Sequence, residues 1–263
     1  MDLNLNGKTA LVTGSTKGIG KTIATELARN GVDVYINGRN RVAVKEVVVE
    51  LQTQYPAVRI YEAVGDLTDE NERTLLFEKV PEVDILVNNL GIYEMMSMSE
   101  VTSAILAKYI ETNALIGHYL TQHYLPTMKA NNFGRVIFMA SEEAVMPSGK
   151  MPQYSVTKTM LLAISKNFSM ETAGTDVTVN SVLPGPTLSE NVYSIVNEII
   201  QDDIPFEEKE QTFMKQTLPQ SQLQRFIRPQ EIARLVSFMS SPYASAFRGT
   251  ALRMDGGLVP TIY

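Results

Sequence analysis

Cysteine is absent from this sequence, and histidine is nearly so. Without thiols the chain cannot form disulfides, thiolate metal sites or cysteine nucleophiles. Two histidines, His118 and His123, are too few for a histidine-rich metal centre, so we expect no bound metal. Because they stand five residues apart on one predicted helix, they do not share a face. We expect both to pack or to lie at the surface.

Positive charge and long apolar runs are also scarce. The chain has 23 Lys and Arg against 29 Asp and Glu, a formal net charge of −6, without a basic block. This balance disfavours nucleic acid or an anionic membrane as a partner. No stretch of about 20 apolar residues is present to span a bilayer. Residues 1–6 (MDLNLN) lack the basic start and apolar run of a signal peptide, so we expect a cytoplasmic protein.

The 263 residues do contain a regular alternation of short β-branched runs and longer helical patterns. The predicted strands cover residues 9–13, 32–37, 58–64, 83–88, 134–140, 177–183 and 249–254. The predicted helices cover residues 21–30, 40–54, 69–80, 101–129 with a break or bend near Pro126, and 154–173. Near-continuous apolar strands separated by helices indicate a parallel sheet covered on both faces. We therefore predict one α/β domain over residues 1–263, a doubly wound (Rossmann) parallel sheet of about seven strands with helices on both faces.

Residues 187–228 interrupt this rhythm. The segment is rich in Gln, Glu and Ser and contains two weakly amphipathic stretches, 192–201 and 206–217. A compact fold rarely carries such an insertion without using it, so we predict a substrate lid. The alternative is a solvated surface decoration.

A glycine-rich turn, TGSTKGIG at residues 13–20, follows the first strand and opens the first helix. Such a turn lets backbone approach a diphosphate, which then sits on the free N–H groups of the helix N-terminus. The spacing is G-x-x-x-G-x-G and not the commoner G-x-G-x-x-G. The predicted nucleotide-binding residues here are Gly14, Ser15, Thr16, Lys17, Gly18, Ile19 and Gly20.

The end of the second strand normally faces the adenosine ribose, where a carboxylate would accept the 2′-hydroxyl of NAD. Here residues 37–41 read NGRNR and contain no acid. Arg39 and Lys17 can pair with a 2′-phosphate, so we expect NADP(H) in preference to NAD(H). Asp66 and Leu67, after the third strand, are candidates for the adenine edge. Asp66 as a neighbour of a helix cap is the alternative.

Tyr154 and Lys158 stand four residues apart and therefore on one helix face. A tyrosine of ordinary pKa, near 10, is a poor base at neutral pH. A nearby ammonium favours the phenolate, so we expect Lys158 to lower the pKa of Tyr154. Thirteen residues before Tyr154, Ser141 ends the fifth strand, where it can hydrogen-bond a substrate oxygen.

With these motifs the sequence resembles the short-chain dehydrogenase/reductase family over residues 5–257. The resemblance rests on residues 13–20, Asp66, Asn88-Asn89-Leu90-Gly91, Asn113, Ser141, Tyr154, Lys158 and Pro184-Gly185-Pro186-Thr187. It implies that Tyr154 is the acid/base, that Ser141 orients the substrate oxygen, and that Lys158 also binds the nicotinamide ribose. It further implies that Asn113 bends its long helix and holds a water in a proton relay through Lys158.

The family pattern also implies the rest of the cofactor site. Pro184, Gly185 and Thr187 are expected to border the nicotinamide, and Asn88 and Gly91 to flank the adenosine side. Two positions depart from the pattern. Leu90 stands where alanine is usual, and adds bulk beside the cofactor.

The second departure is Glu142-Glu143 directly after Ser141, where small or apolar residues are usual. If either carboxylate faces the substrate, neutral or polyhydroxylated compounds are favoured over anions. The alternative places both in solvent. Five methionines fall in loops expected around the substrate, where they are either pocket lining or core filler: Met95, Met96, Met98, Met146 and Met151.

The sequence therefore predicts an NAD(P)(H)-dependent oxidoreductase that interconverts a secondary alcohol and a ketone. The alternative is a catalytically silent dinucleotide-binding regulator on the same fold, which is disfavoured because all four candidate catalytic residues are present. An enoyl reductase is disfavoured by the tyrosine–lysine spacing. Pairing of helices near residues 101 and 154 in similar proteins, with a second contact through residues 249–254, implies a homotetramer or homodimer. The predicted helix that begins at Tyr154 also carries more apolar residues than packing on one face of the sheet requires, which agrees with such pairing: Leu161, Leu162, Ile164 and Phe168.

Overall fold

The computed structural model describes residues 1–262. A parallel sheet of seven strands lies at its centre, in the order β3-β2-β1-β4-β5-β6-β7. The strands are β1 (Thr9–Val12), β2 (Asp33–Gly38), β3 (Ile60–Val64), β4 (Ile85–Asn88), β5 (Gly134–Met139), β6 (Val177–Pro184) and β7 (Ala251–Met254). This confirms the predicted doubly wound sheet, with boundaries that differ from the prediction by no more than a few residues.

The central strands β1, β4 and β5 are mostly apolar because both faces of the sheet are buried there. Ala10 and Val12 of β1 join one core, whereas Leu11 between them joins the other. Helices α1 (Gly18–Arg29) and α2 (Arg41–Gln54) cover the first face, and α3 (Glu70–Lys79) covers part of the second. The chain leaves β1 toward β2 and β3 and then returns to place β4 on the other side. Ligands of such sheets bind at this reversal, beyond the carboxyl ends of the strands.

The long helical stretch after β4 is interrupted, but not at the predicted place. It consists of α4 (Ser103–Ile110), a π-helical turn at Glu111–Leu115, and α5 (Ile116–Ala130). The expected break near Pro126 is wrong, since α5 runs through this proline. A proline removes one helical hydrogen bond, and the burial of Tyr124, Leu125 and Met128 holds this part of the helix in place. The interruption is instead the π-helical turn that contains Asn113, the residue at which the family resemblance implied a bend.

The remaining helices are α6 (Pro152–Met170), α7 (Glu190–Ile199), α8 (Phe206–Thr217) and α9 (Pro229–Met239). The sequence pattern missed α9, although Pro229 at its first position and Glu231 two residues later are typical start signals. Of the apolar residues expected to be surplus on α6, Leu161 and Phe168 belong to the core. Within residues 1–262, no helix has the length and apolar composition needed to cross a bilayer.

Candidate active site

Buried polar contacts hold the turn between β1 and α1. Ser15 Oγ donates to the carbonyl of Val12 (2.7 Å) and accepts from the N–H of Asn37 (2.9 Å). Asn37 Oδ1 accepts from the N–H of Gly14 (3.2 Å), and its amide donates to the carbonyl of Ala63 (2.9 Å). The side chain of Asn37 therefore stabilises this turn. It lies near the end of β2, where a carboxylate would accept the ribose 2′-hydroxyl of NAD.

The N-terminus of α1 is open. No side chain in the described part of the chain caps this helix, whose N-cap residue is Lys17. Gly18 has φ +57, and a Cβ built on it would meet no heavy atom within 4 Å. Free helical N–H groups beside open space are suited to a diphosphate. Thr16 packs over Gly38, and Ile19 packs on the core below the turn.

Asn89, which the sequence analysis named in a family motif without giving it a role, positions the glycine turn. Its side-chain amide donates to the carbonyls of Thr13 (2.9 Å) and Gly14 (3.2 Å), which ties the glycine turn to the end of β4. Thr13 Oγ1 in return accepts from the N–H groups of Asn89 and Leu90, each at 2.9 Å. This role could have been predicted from the position of Asn89 directly after β4, because polar residues that follow parallel strands meet at one edge of the sheet.

Lys17, before α1, and Arg39, after β2, are both exposed at this edge of the sheet. None of the ion pairs formed among residues 1–262 involves either side chain. Hydrogen bonds from the hydroxyl and N–H of Thr68 hold the pKa of Asp66 below its usual range, and Arg39 contributes to the same effect. Asp66 therefore caps its own turn, in agreement with the alternative reading, and its carboxylate is held near Arg39.

The other predicted cofactor residues lie at different depths. Leu67 is buried in the core. Asn88 is also buried and turned toward α5, where its amide donates to Thr121 Oγ1 (3.2 Å). Gly91, expected on the adenosine side, lies instead beside the candidate catalytic residues: a Cβ built on it would be 3.5 Å from both Asn113 Oδ1 and Lys158 Nζ.

The four candidate catalytic residues converge beyond the ends of β4 and β5. Tyr154 and Lys158 share a face of α6, with Lys158 Nζ 5.3 Å from the Tyr154 ring centroid. Lys158 is buried and donates to the carbonyl of Met139, the last residue of β5 (2.7 Å). Ser141 follows two residues later and lies near enough to the Tyr154 hydroxyl to favour its phenolate form. The structure thus brings together the hydroxyl groups and the amine that the sequence pattern paired.

Asn113 completes this group from the π-helical turn. Its Oδ1 accepts from the N–H of Ile92 (2.8 Å), and its amide donates to the carbonyl of Ile92 (2.9 Å). The same amide donates to Thr157 Oγ1 on α6 (3.1 Å). A π turn adds one residue per turn and changes where its side chains point. Here it allows Asn113 to join the loop after β4 to α6.

Burial dominates the protonation of the two central groups. It lowers the pKa of Lys158 to about 8. It raises the pKa of Tyr154 above the ordinary 10, and Glu142 acts in the same direction, while Ser141 favours the phenolate. The expected lowering of the Tyr154 pKa by Lys158 is therefore not found. The reason is that desolvation penalises the phenolate more than the surrounding hydrogen bonds stabilise it.

The two glutamates after Ser141 have different surroundings. Ser141 caps a short 3-10 turn at Glu142–Ala144. Ser141 Oγ donates to Glu142 Oε2 at 2.5 Å. Glu143 is buried, and its carboxylate accepts from Ser155 Oγ (2.5 Å) and the N–H of Ser148 (3.1 Å). Only the carboxylate of Glu142 bonds the side chain of a candidate catalytic residue, so the two glutamates are not equivalent and neither is simply solvated.

The end of β6 closes the cleft on the far side. The N–H of Gly185 donates to the carbonyl of Met254 (2.9 Å), and a Cβ at Gly185 would approach Asp255 Cα to 2.8 Å. Pro184 is the last residue of β6, and Thr187 Oγ1 donates to the carbonyl of Gly185 (2.8 Å). Gly185 is required here because β7 passes so close.

The segment 187–228 starts and ends at one point and carries its own small core. Thr187 pairs with Ile227 in a parallel bridge. Val196 of α7, Met214 of α8 and Phe226 pack together between the two helices. Glu210 of α8 is buried and accepts two hydrogen bonds from Arg228. Residues 187–228, called the flap below, thus form a packed pair of helices that is held by the ion pair between Glu210 and Arg228.

Apolar side chains line the loops across from this flap. Met95 and Met98 are exposed, whereas Met96, Met146 and Met151 are half-buried. The loop carrying the first three is fixed by the amide of Gln153, which donates to the carbonyl of Glu94 (2.7 Å). Both histidines pack outside this region as predicted, His123 on Phe77 (3.8 Å between centroids) and His118 on Phe168 (5.2 Å). Among the described residues, no three His, Asp or Glu side chains gather as metal ligands.

Comparison with known sequences agrees with this arrangement. The family described as short chain dehydrogenase matches residues 8–199. The uncharacterized oxidoreductase YvaG of Bacillus subtilis is 48% identical over 264 residues, covering 100% of both chains. D-beta-hydroxybutyrate dehydrogenase of Cupriavidus necator is 33% identical, covering 97% of this chain and 99% of the other.

Among solved structures, the fold is similar to that of L-sorbose reductase from Gluconobacter frateurii, determined as a complex with NADPH and L-sorbose. The TM-score is 0.91 with 29% sequence identity, and the match covers 100% of both chains.

Proposed function

The chain belongs to the short-chain dehydrogenase/reductase family and is an oxidoreductase; from this premise we propose that it interconverts a secondary alcohol and a ketone by hydride transfer, with Tyr154 as acid and base. The observation that carries the proposal is the convergence of Asn113, Ser141, Tyr154 and Lys158 beside an open, glycine-rich helix N-terminus.

The residues have separate tasks in this reaction. Tyr154 donates its phenolic proton to the ketone oxygen in reduction and receives it back in oxidation. Ser141 hydrogen-bonds the same oxygen. Lys158, whose pKa burial lowers to about 8, supplies a positive charge near the Tyr154 ring, and Asn113 is joined to α6 next to it. The nicotinamide, when bound, gives or accepts the hydride.

We also propose NADP(H) as the preferred dinucleotide. Its diphosphate would lie on the N-terminus of α1 at residues 14–20, and a 2′-phosphate would meet Lys17 and Arg39. Three observations support this: both cations are exposed and outside the ion pairs of residues 1–262, Asn37 is used by the turn, and the similar sorbose reductase was solved with NADPH. Pro184, Gly185 and Thr187 would border the nicotinamide.

The substrate in this proposal is a small alcohol or carbonyl compound in the cytoplasm, enclosed by the flap at residues 187–228. We infer an assembly of four or two copies, paired through the stretch α4–α5 and through α6, with a second contact through residues 249–254. With Leu161 and Phe168 used in the core, the surface that supports this inference is the outer face of α6, where Val156 and Met170 are exposed.

The test is a panel of neutral ketones, keto acids, keto sugars and matched secondary alcohols, followed by the absorbance of the reduced nicotinamide. We expect turnover of at least one matched pair with NADPH. Tight dinucleotide binding without turnover of any pair would favour the silent regulator instead.

A further inference from the structure

The carboxylate of Glu142 accepts the single hydroxyl proton of Ser141. Ser141 Oγ donates to Glu142 Oε2 at 2.5 Å, and it accepts from the N–H of Glu143 at 3.3 Å. The hydroxyl of Tyr154 lies near this pair and is influenced by both residues. A serine hydroxyl has one donor and two acceptor sites. With Glu142 ionised, the single proton of Ser141 is thus directed away from the substrate.

This contact follows from the local fold. Ser141 leaves β5 in extended conformation (φ −168°) and caps the 3-10 turn that begins at Glu142. The turn folds the side chain of Glu142 back over the hydroxyl of Ser141. Glu143, one residue later, points to the opposite side and is held by Ser155 and Ser148. The same turn therefore separates a structural glutamate from one that faces the reacting groups.

The charge environment of Glu142 contains no close cation. None of the ion pairs among residues 1–262 involves it. The titratable groups that face it are Glu143 on its own turn and Tyr154 on α6. Lys158 instead donates to the carbonyl of Met139. Burial consequently raises the pKa of Glu142 to about 7, with repulsion from Glu143 acting in the same direction.

We propose that Glu142 is a positioning residue that decides whether the hydroxyl of Ser141 is free to donate to the substrate oxygen. The proposal rests on the proposed function, because it assumes that Ser141 and Tyr154 meet the oxygen of a ketone or an alcohol. Glu142 neither gives nor takes the transferred proton, which passes between Tyr154 and that oxygen.

The two protonation states of Glu142 leave Ser141 with different capacities to donate. With Glu142 neutral, its own O–H donates to Ser141 Oγ, and the Ser141 proton is free to bond the substrate oxygen beside Tyr154. With Glu142 ionised, the Ser141 proton stays on the carboxylate and only a lone pair faces that oxygen. Donation from Ser141 stabilises the negative charge that develops on the oxygen in the transition state shared by reduction and oxidation. Ketone reduction is therefore disfavoured as Glu142 loses its proton.

The test compares the pH dependence of kcat for reduction of one ketone in the unaltered protein, Glu142→Gln and Glu142→Asp, from about pH 6 to about pH 8.5. In the unaltered protein we expect kcat for reduction to fall about tenfold across this range, the loss typical of one hydrogen bond. Glutamine does not titrate, so Glu142→Gln should lose the part of the decline centred near pH 7 and keep the part near pH 8 that follows Lys158. Glu142→Asp should retain the first part with a shifted midpoint. KM for the dinucleotide should stay constant.

Glu78→Gln is the matched control, since Glu78 is exposed on α3 and the change removes the same charge. It should leave the profile unaltered. A Glu142→Gln profile that superimposes on that of the unaltered protein would overturn the role of Glu142 while leaving the proposed function intact. If the unaltered protein turns over no ketone, or if Tyr154→Phe leaves its kcat unchanged, the proposed function is overturned and this inference with it. Should Glu142→Gln fail to fold, the Glu142→Asp midpoint decides, because an unshifted midpoint contradicts the proposal.

Discussion

Alanine at Gly20 should mainly lower stability, whereas alanine at Gly18 should mainly weaken dinucleotide binding. At Gly20 the added Cβ would lie 2.4 Å from the carbonyl oxygen of Gly14 and 2.4 Å from Asn89 Nδ2. The first is backbone, and the second is bonded to the carbonyls of Thr13 and Gly14, so neither moves freely. Overpacking costs about 1–3 kcal/mol, and a lost hydrogen bond adds about 1 kcal/mol. We expect Gly20→Ala to lower the free energy of unfolding by roughly 2–4 kcal/mol.

At Gly18 the same substitution meets open space, because no heavy atom lies within 4 Å of the built Cβ. Its φ of +57 leaves only the cost of a left-handed alanine, about 1–2 kcal/mol. The new methyl group, however, occupies the space that we assign to the diphosphate. We expect the Kd for NADPH to rise at least tenfold, which corresponds to about 1.4 kcal/mol.

Gly174→Ala is the matched control, since Gly174 has φ +79, open space around its Cβ and a position after α6, far from the glycine turn. Urea unfolding measures the stability of each variant, and a fluorescence titration measures the Kd for NADPH. If Gly18→Ala binds NADPH as tightly as Gly174→Ala does, the diphosphate does not lie on the N-terminus of α1. If Gly20→Ala is as stable as the unaltered protein, the packing argument is refuted.

Three further predictions concern the proton, the 2′-phosphate and the assembly. Tyr154→Phe should lower kcat by roughly 10²–10⁴-fold, because it removes the transferable proton and keeps the ring; single-turnover assays with a dinucleotide titration check this, and near-normal turnover would exclude Tyr154 as the acid. Arg39→Ala should weaken NADPH by about 1.5–3 kcal/mol and leave NADH unchanged; equal affinity of the unaltered protein for both dinucleotides would make Arg39 a surface charge only. Light scattering should give two or four times the chain mass of 29.2 kDa, and a single-chain particle at micromolar concentration would contradict the assembly.

Local spacing was enough to find several features of the site. The apolar strands, the glycine turn at 13–20 and the pair Tyr154 and Lys158 each depend on neighbours within one turn or one strand. Such short-range patterns are physical consequences of helix and strand periodicity. The role of Asn89 and the existence of α9 were missed, although each carries a local signal.

Other features depended on groups brought together from distant parts of the chain. The sequence did not distinguish Glu142 from Glu143, and only the packing of the turn against α6 separates them. The pKa of Tyr154 could not be derived from its distance to Lys158 along a helix, because desolvation by the surrounding elements outweighs that one charge.

Patterns of neighbouring residues were enough to predict the class of sheet, the place of the glycine turn and the residues of the candidate catalytic group. The directions of their side chains became known only from the way distant elements pack together. Local rules also predicted a break of the long helix at Pro126, whereas the packing of Tyr124 and Leu125 keeps that turn helical and the interruption is the π turn around Asn113. These cases share one cause: backbone periodicity is set by adjacent residues, but burial, hydrogen-bond direction and protonation are set by whatever the fold places opposite.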